Sequence, residues 1–173
     1  MDEGRQRALR PGLSRDDQMS QQTLIRVIAK MTIPFILVFG IYVILHGELG
    51  PGGGFQGGVI LAAAFILFGL VFDADELTRR IPPVVWDAGM ALGALFYAGV
   101  GLVSLLRGGS FLDYGMMQPT HAGDAEALGM SLVEYGVGLT VCSVMVTIYL
   151  MLSERHLAMD MASLDEQDEQ EDE

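Results

Sequence analysis

Four apolar stretches constrain this chain more than anything else in it: Leu24–Leu45, Gly54–Phe72, Val84–Leu106 and Gly129–Leu152. A helix needs about 20 mostly apolar residues to cross the hydrocarbon core of a bilayer, and each stretch supplies them. Apolar runs of this length predict spanning helices. The expected fold class is therefore all-α, a polytopic membrane protein with four transmembrane helices. Half of the chain is hydrophobic (51%), and its mean hydropathy is +0.40, too apolar for an ordinary soluble domain of this size. Pro34 falls inside the first stretch and is expected to relax or kink it about one turn beyond Lys30.

The polar remainder divides the chain into residues 1–23, a flexible arm; 24–153, the four-helix membrane domain; and 154–173, a tail. Seven of the last nine residues, Asp165–Glu173, are acidic, and they account for much of the net charge of -12. Without apolar anchors, such a tail is expected to be disordered. Orientation follows from Lys and Arg. Arg5, Arg7, Arg10, Arg15, Arg26 and Lys30 precede the first span or lie near its start. Arg79 and Arg80 lie between the second and third spans, and Arg155 follows the fourth. Arg107 alone falls on the opposite face, so nine of ten basic residues predict cytoplasmic termini in the cell (inner) membrane. The long polar lead before the first apolar run, and the length of that run, do not fit a cleaved signal peptide.

Between the first two spans lies His46-Gly47-Glu48-Leu49-Gly50-Pro51-Gly52-Gly53-Gly54-Phe55-Gln56-Gly57-Gly58, with seven glycines, one proline and no basic residue. Glycine permits close approach by a neighbouring backbone. Irregular backbone near membrane depth needs cover from protein or a water-lined path. The segment is expected to be covered by another subunit, to line a polar path, or both. Further small-residue spacings recur in the helices: Gly89 with Gly93, Ala94 with Ala98, Gly58 with Ala62, and Gly136 with Gly138. Such pairs let helices pack closely, here either with each other or with neighbouring subunits. Met90, Met130, Met145 and Met151 are expected to serve as soft packing.

Ionisable residues inside a span are costly, and so they mark candidate ion or proton positions. Glu134, one to two turns into the fourth span, is the foremost candidate, with an interhelical hydrogen-bonded contact as the passive alternative. Asp87 lies about one turn into the third span, where a helix dipole or Arg79 and Arg80 would also account for it. His46 ends the first span and could titrate near neutral pH or pair with Glu48. Lys30 is expected to snorkel toward the inner face, with a weaker reading as part of a proton path with Asp87. His121, beside Asp124 and Glu126, is expected to be solvent-exposed in the outer loop Arg107–Leu128.

The motifs of soluble catalysis are absent. The glycines lack the dinucleotide fingerprint and the Gly-Lys-Ser/Thr ending of a phosphate loop. The lone cysteine, Cys142, excludes an internal disulfide and a paired-cysteine centre. No metal-ligand spacing and no nucleophile–base set is present, so no cofactor, resident metal or nucleic acid partner is expected, and no catalysis by this chain alone.

Pro51-Gly52-Gly53-Gly54-Phe55-Gln56-Gly57-Gly58, placed between the first two of four spans, strongly resembles the MnhB-type subunit of Mrp multisubunit cation/proton antiporters. The module recurs in the membrane arms of energy-converting hydrogenases and other respiratory-complex relatives. The resemblance covers roughly Leu24–Leu152, and Asp87 and Glu134 resemble acidic positions near the starts of the family's third and fourth helices. Glu134-Tyr135-Gly136-Val137-Gly138 looks like its acidic-x-Gly pattern. Antiporter versions often carry Gly-His-x-x-Pro before the three glycines; here Glu48 stands where that histidine would fall, and His46 comes two residues earlier. The resemblance implies a small, non-catalytic subunit of a sodium/proton antiporter, among other membrane subunits in the bilayer, with sodium and protons as the ions moved. Three rivals differ from it: the same module in a hydrogenase-type complex, a purely structural scaffold, and a self-contained channel.

Overall fold

The computed structural model describes residues 15–47, 52–114 and 122–171. Within them the chain forms five helices: α1 (Arg15–Leu45), α2 (Gly54–Phe72), α3 (Ala74–Arg80), α4 (Pro83–Leu106) and α5 (Ala122–Glu171). Four are long and apolar enough to cross a membrane, over Gln21–Leu45, Gly54–Phe72, Pro83–Leu106 and Glu126–His156. These contain the expected spans, and the fold is all-α as the apolar pattern requires. Pro34 is accommodated inside an unbroken α1.

Each boundary has a local cause. Pro83 opens α4 at its first position, where the missing N–H would lack a helical partner anyway. Gly108, at φ 85, takes the left-handed conformation that closes α4. The segment after it folds back, with Phe111 packed on Gly101 and its ring 6.2 Å from that of Tyr97. Asp73 joins α2 to α3 at φ 84 and ψ 145, a conformation costing a non-glycine residue on the order of 1–3 kcal/mol. That bend turns α3 so that Leu77, 1% exposed, enters the core.

The helices form an open layer. α1 packs on α2, α2 on α5, and α5 on α4, while α1 meets α5 only slightly. α1 is the most peripheral: 11% of its span window is buried, against 33% in α5. Phe35 on α1, Val84 and Leu106 on α4 and Leu70 on α2 are all more than two-thirds exposed. Such faces require lipid or neighbouring subunits.

Two kinds of packing hold the layer together. At the end nearest α3, Ala62, Leu77, Trp86, Cys142, Val146 and Leu150 form a conventional apolar core, with Phe65 edge-on to Trp86 at 5.1 Å. Toward the glycine segment, backbones meet with almost no side chain between them. Gly58 of α2 faces Gly138 and Val141 of α5. Gly89 and Gly93 of α4 face Ser143, Thr140 and Gly136 of α5. Gly57 meets Gly40 and Ile44 of α1. Most of the small-residue pairs are thus spent inside the chain, whereas Ala94 and Ala98 remain on the outer face of α4. Hydroxyls inside the layer donate to their own helix one turn back: Thr140 to Gly136 O (2.9 Å), Thr147 to Ser143 O (2.9 Å) and Ser104 to Val100 O (3.1 Å). Each of these three hydroxyl protons is thereby satisfied against apolar surroundings.

Two expectations need correction. α5 begins at Ala122, so the loop expected over Arg107–Leu128 is shorter; the extra turns are built from Ala125, Glu126, Ala127 and Leu128, mostly strong helix formers. α5 also continues to Glu171, where charge alone suggested disorder. The tail is rich in Glu, Gln, Met, Ala and Leu, and a helix already nucleated in the membrane extends through such residues without a new nucleation cost. The chain's first 14 residues, together with His121, lie outside the described residues.

Candidate functional site

The site is built where the glycine segment enters α2. Gly53 stands at the position that would cap α2 and has no side chain to do so. The first N–H groups of α2 therefore look outward at the positive end of the helix dipole. Glu134 of α5 lies there. Its carboxylate occupies the space that a side chain would need at Gly47, and Oε1 would be 3.1 Å from a β-carbon on Gly53. Its main-chain carbonyl sits where a side chain on Gly54 would go. Two glycines of the segment thus flank the carboxylate and a third its main-chain carbonyl, and the helix dipole complements the negative charge. Glu134 is half-buried, on a groove of about 400 Å³ lined also by Gly52, Gly53, Phe55, Gln56 and Val133.

The remaining candidates fall elsewhere. Of the motif, Gly54, Gly57 and Gly58 are buried at helix contacts, and Phe55 is exposed at the groove. Glu48 and Pro51 lie outside the described residues. His46 is exposed and turned back on its own helix: its ring stacks on Tyr42 at 4.3 Å, and Nδ1 lies 3.2 Å from Tyr42 O. It is not among the residues lining the Glu134 groove. Asp87 is exposed beside buried Trp86, facing away from the chain's own layer. Arg80, considered above as its neutralising partner, instead pairs with Glu76 (2.8 Å). Lys30 lies over the ring of Phe72, 5.7 Å from its centroid, in a different cleft. The residues singled out from the sequence therefore do not form one path through this chain. Among the described residues no three His, Cys, Asp or Glu side chains gather as metal ligands. A cation at Glu134 would need further ligands from water or neighbouring subunits.

Sequence reasoning passed over Gln56 as a site residue. It is the one polar side chain in the first turn of α2 and lines the same groove as Glu134. Its place within an otherwise glycine-dominated motif was the available signal.

An open layer of four apolar helices long enough to span a membrane, with a carboxylate set between glycines, defines a small polytopic membrane protein. The chain belongs to the family described as a domain related to the MnhB subunit of Na+/H+ antiporter, which matches residues 24–147. It is 38% identical over 133 residues to a Staphylococcus haemolyticus protein named "Putative antiporter subunit mnhB2", covering 75% of this chain and 93% of the relative. Relatives of the same name from Staphylococcus epidermidis and Staphylococcus aureus are 33% and 32% identical, with the same coverage.

Proposed function

We propose that this chain is a small membrane subunit of a multisubunit sodium/proton antiporter, and that Glu134 is its contribution to the cation and proton path. Family membership supports the first part. The observation that carries the second is the seating of Glu134 at the amino end of α2, its carboxylate against Gly47 and Gly53 and its main-chain carbonyl against Gly54. A passive interhelical contact needs no groove. A carboxylate that exchanges a proton or meets a hydrated cation needs an open side and fixed dipoles, and the groove and the amino end of α2 beside Glu134 support this reading. In this reading both termini are cytoplasmic and the glycine segment lies at the outer face, so Glu134 serves the outer half of the path. Other membrane subunits supply the inner half and the remaining ligands. The chain itself performs no catalysis.

The test is Glu134→Gln in the assembled complex. Glutamine keeps the shape and hydrogen-bonding capacity but cannot ionise. Assembly should match the parent while most antiport in everted vesicles is lost, and Glu134→Asp should retain more activity than Glu134→Gln. Equal flux across pH and sodium concentration in parent and Glu134→Gln would remove Glu134 from the path.

A further inference from the structure

At the opposite end of the layer from Glu134 lies a cleft of about 900 Å³ between α1, α2, α3 and α5. Two elements distant in sequence supply its cations: Arg26 and Lys30 from α1, and Arg79 and Arg80 from α3. The positive-φ turn at Asp73 brings the α3 pair into the same cleft. Lys30 lies over the ring of Phe72, the last residue of α2. Arg26 is one turn nearer the start of α1, about 6 Å along the helix. Arg80 is held by Glu76 (2.8 Å), but Arg26, Lys30 and Arg79 meet no carboxylate within ion-pair distance among the described residues. The floor is apolar and aromatic, with Phe68, Leu70 and Phe72 leading down toward the hydrocarbon. Asp73, Asp75 and Glu76 also line the cleft.

We propose that this cleft is a binding site for an anionic phospholipid with a hydroxyl-bearing headgroup of the phosphatidylglycerol type. The phosphodiester would accept hydrogen bonds from Arg26, Lys30 and Arg79. The headgroup hydroxyls would donate to Asp73 or Asp75, and an acyl chain would lie along Phe68 and Leu70. Each part of the lipid meets its complement: charge at the headgroup and apolar surface along the acyl chain. A basic pocket between spanning helices is where such headgroups are held. The inference needs only the membrane reading of the fold and does not depend on Glu134 or on transport.

The test uses the intact complex, stripped of lipid in detergent and returned to nanodiscs of phosphatidylcholine alone, with added phosphatidylglycerol, or with added phosphatidylethanolamine. Lipid retained on this chain is then measured by native mass spectrometry. Phosphatidylglycerol should be retained selectively, about fivefold less for each cation removed in Arg26→Gln and Arg79→Gln, with Arg26→Lys close to the parent. Equal retention in parent and glutamine variants would overturn the proposal. Equal retention of phosphatidylethanolamine would replace an anionic site by a zwitterionic one. Displacement by inorganic phosphate alone would reduce it to a small-anion site. Should the glutamine variants fail to assemble, a photoreactive phosphatidylglycerol in the parent complex decides. Crosslinks should concentrate on the peptides carrying Phe68–Arg80 and Tyr149–Ser153, and an even spread over the exposed face of α1 would refute the site.

Discussion

A methyl group added at Gly58 tests whether α2 and α5 are held together by backbone contact. The β-carbon of Gly58→Ala would lie 2.6 Å from Gly138 O and 3.1 Å from Gly138 Cα. Ordinary contact begins near 3.4 Å, so the helices must separate by roughly 0.8 Å at that level. The obstructing atoms are backbone and cannot rotate aside, which puts the cost in the overpacking range of about 1–3 kcal/mol. The control is Gly99→Ala on α4, where an added β-carbon meets nothing within 4 Å. There, helix propensity alone acts, and it favours alanine by about 1 kcal/mol. The two substitutions are chemically identical and both lie in spanning helices. Thermal dissociation of the solubilised complex, followed on native gels, should show Gly58→Ala falling apart at lower temperature than the parent and Gly99→Ala at the same temperature or higher. Equal stability of the two variants would show that the close approach of α2 to α5 does not exist in the assembled protein.

Three further outcomes are expected. Asp87→Asn should leave antiport closer to the parent than Glu134→Gln does, because Asp87 faces away from the chain's own layer; a larger loss, measured in the same everted vesicles, would place a neighbouring subunit's path at this residue. Reporter tags at the N-terminus, near Arg79 and after Arg155 should all read as cytoplasmic and one near Asp124 as external, and a cytoplasmic Asp124 tag would reverse the topology. Truncation after Met161 removes seven acidic residues and should leave antiport by the complex intact; loss of assembly on native gels would make the tail a docking element.

The spans were legible because lipid imposes a simple rule, a minimum apolar length, and each helix obeys it without help from its neighbours. The small-residue pairs were legible as packing faces, but not their partners. Gly58 against Gly138 and Gly93 against Gly136 depend on the register between helices far apart in sequence. The outward direction of Asp87 could have been read from its own helix. Trp86, Gly89 and Gly93 share one face at helical spacing, and Asp87 lies one residue, about 100°, off that face. The turn of His46 back onto Tyr42 is a helix-end detail that a single histidine does not announce. The tail misled because charge density was weighed and helix propensity was not.

The scaffold and conduit readings of the glycine motif share one piece of geometry. On α5, Glu134, Gly138 and Val141 face α2, while Gly136, Thr140 and Ser143 face α4. Both sets follow the i, i+4, i+7 spacing of a single helix face. Glu134 is therefore one turn above Gly138 on the same face, and Gly54 is one turn from Gly58 on α2. The contact of Gly58 with Gly138 fixes the distance between the helices, and one turn away that distance seats Gly54 against the Glu134 backbone. The carboxylate is then left with only the space that Gly47 and Gly53 vacate. A substitution at any of these glycines moves the carboxylate as well as the helices, so flux lost in a glycine variant cannot separate assembly from conduction. Glu134→Gln changes the ionisable group and leaves every backbone contact in place, and Gly58→Ala disturbs the packing one turn from an unaltered carboxylate. Only the pair together assigns the motif: loss of flux with stability kept in the first, and loss of stability in the second, mean that the glycines build the layer in order to place the acid.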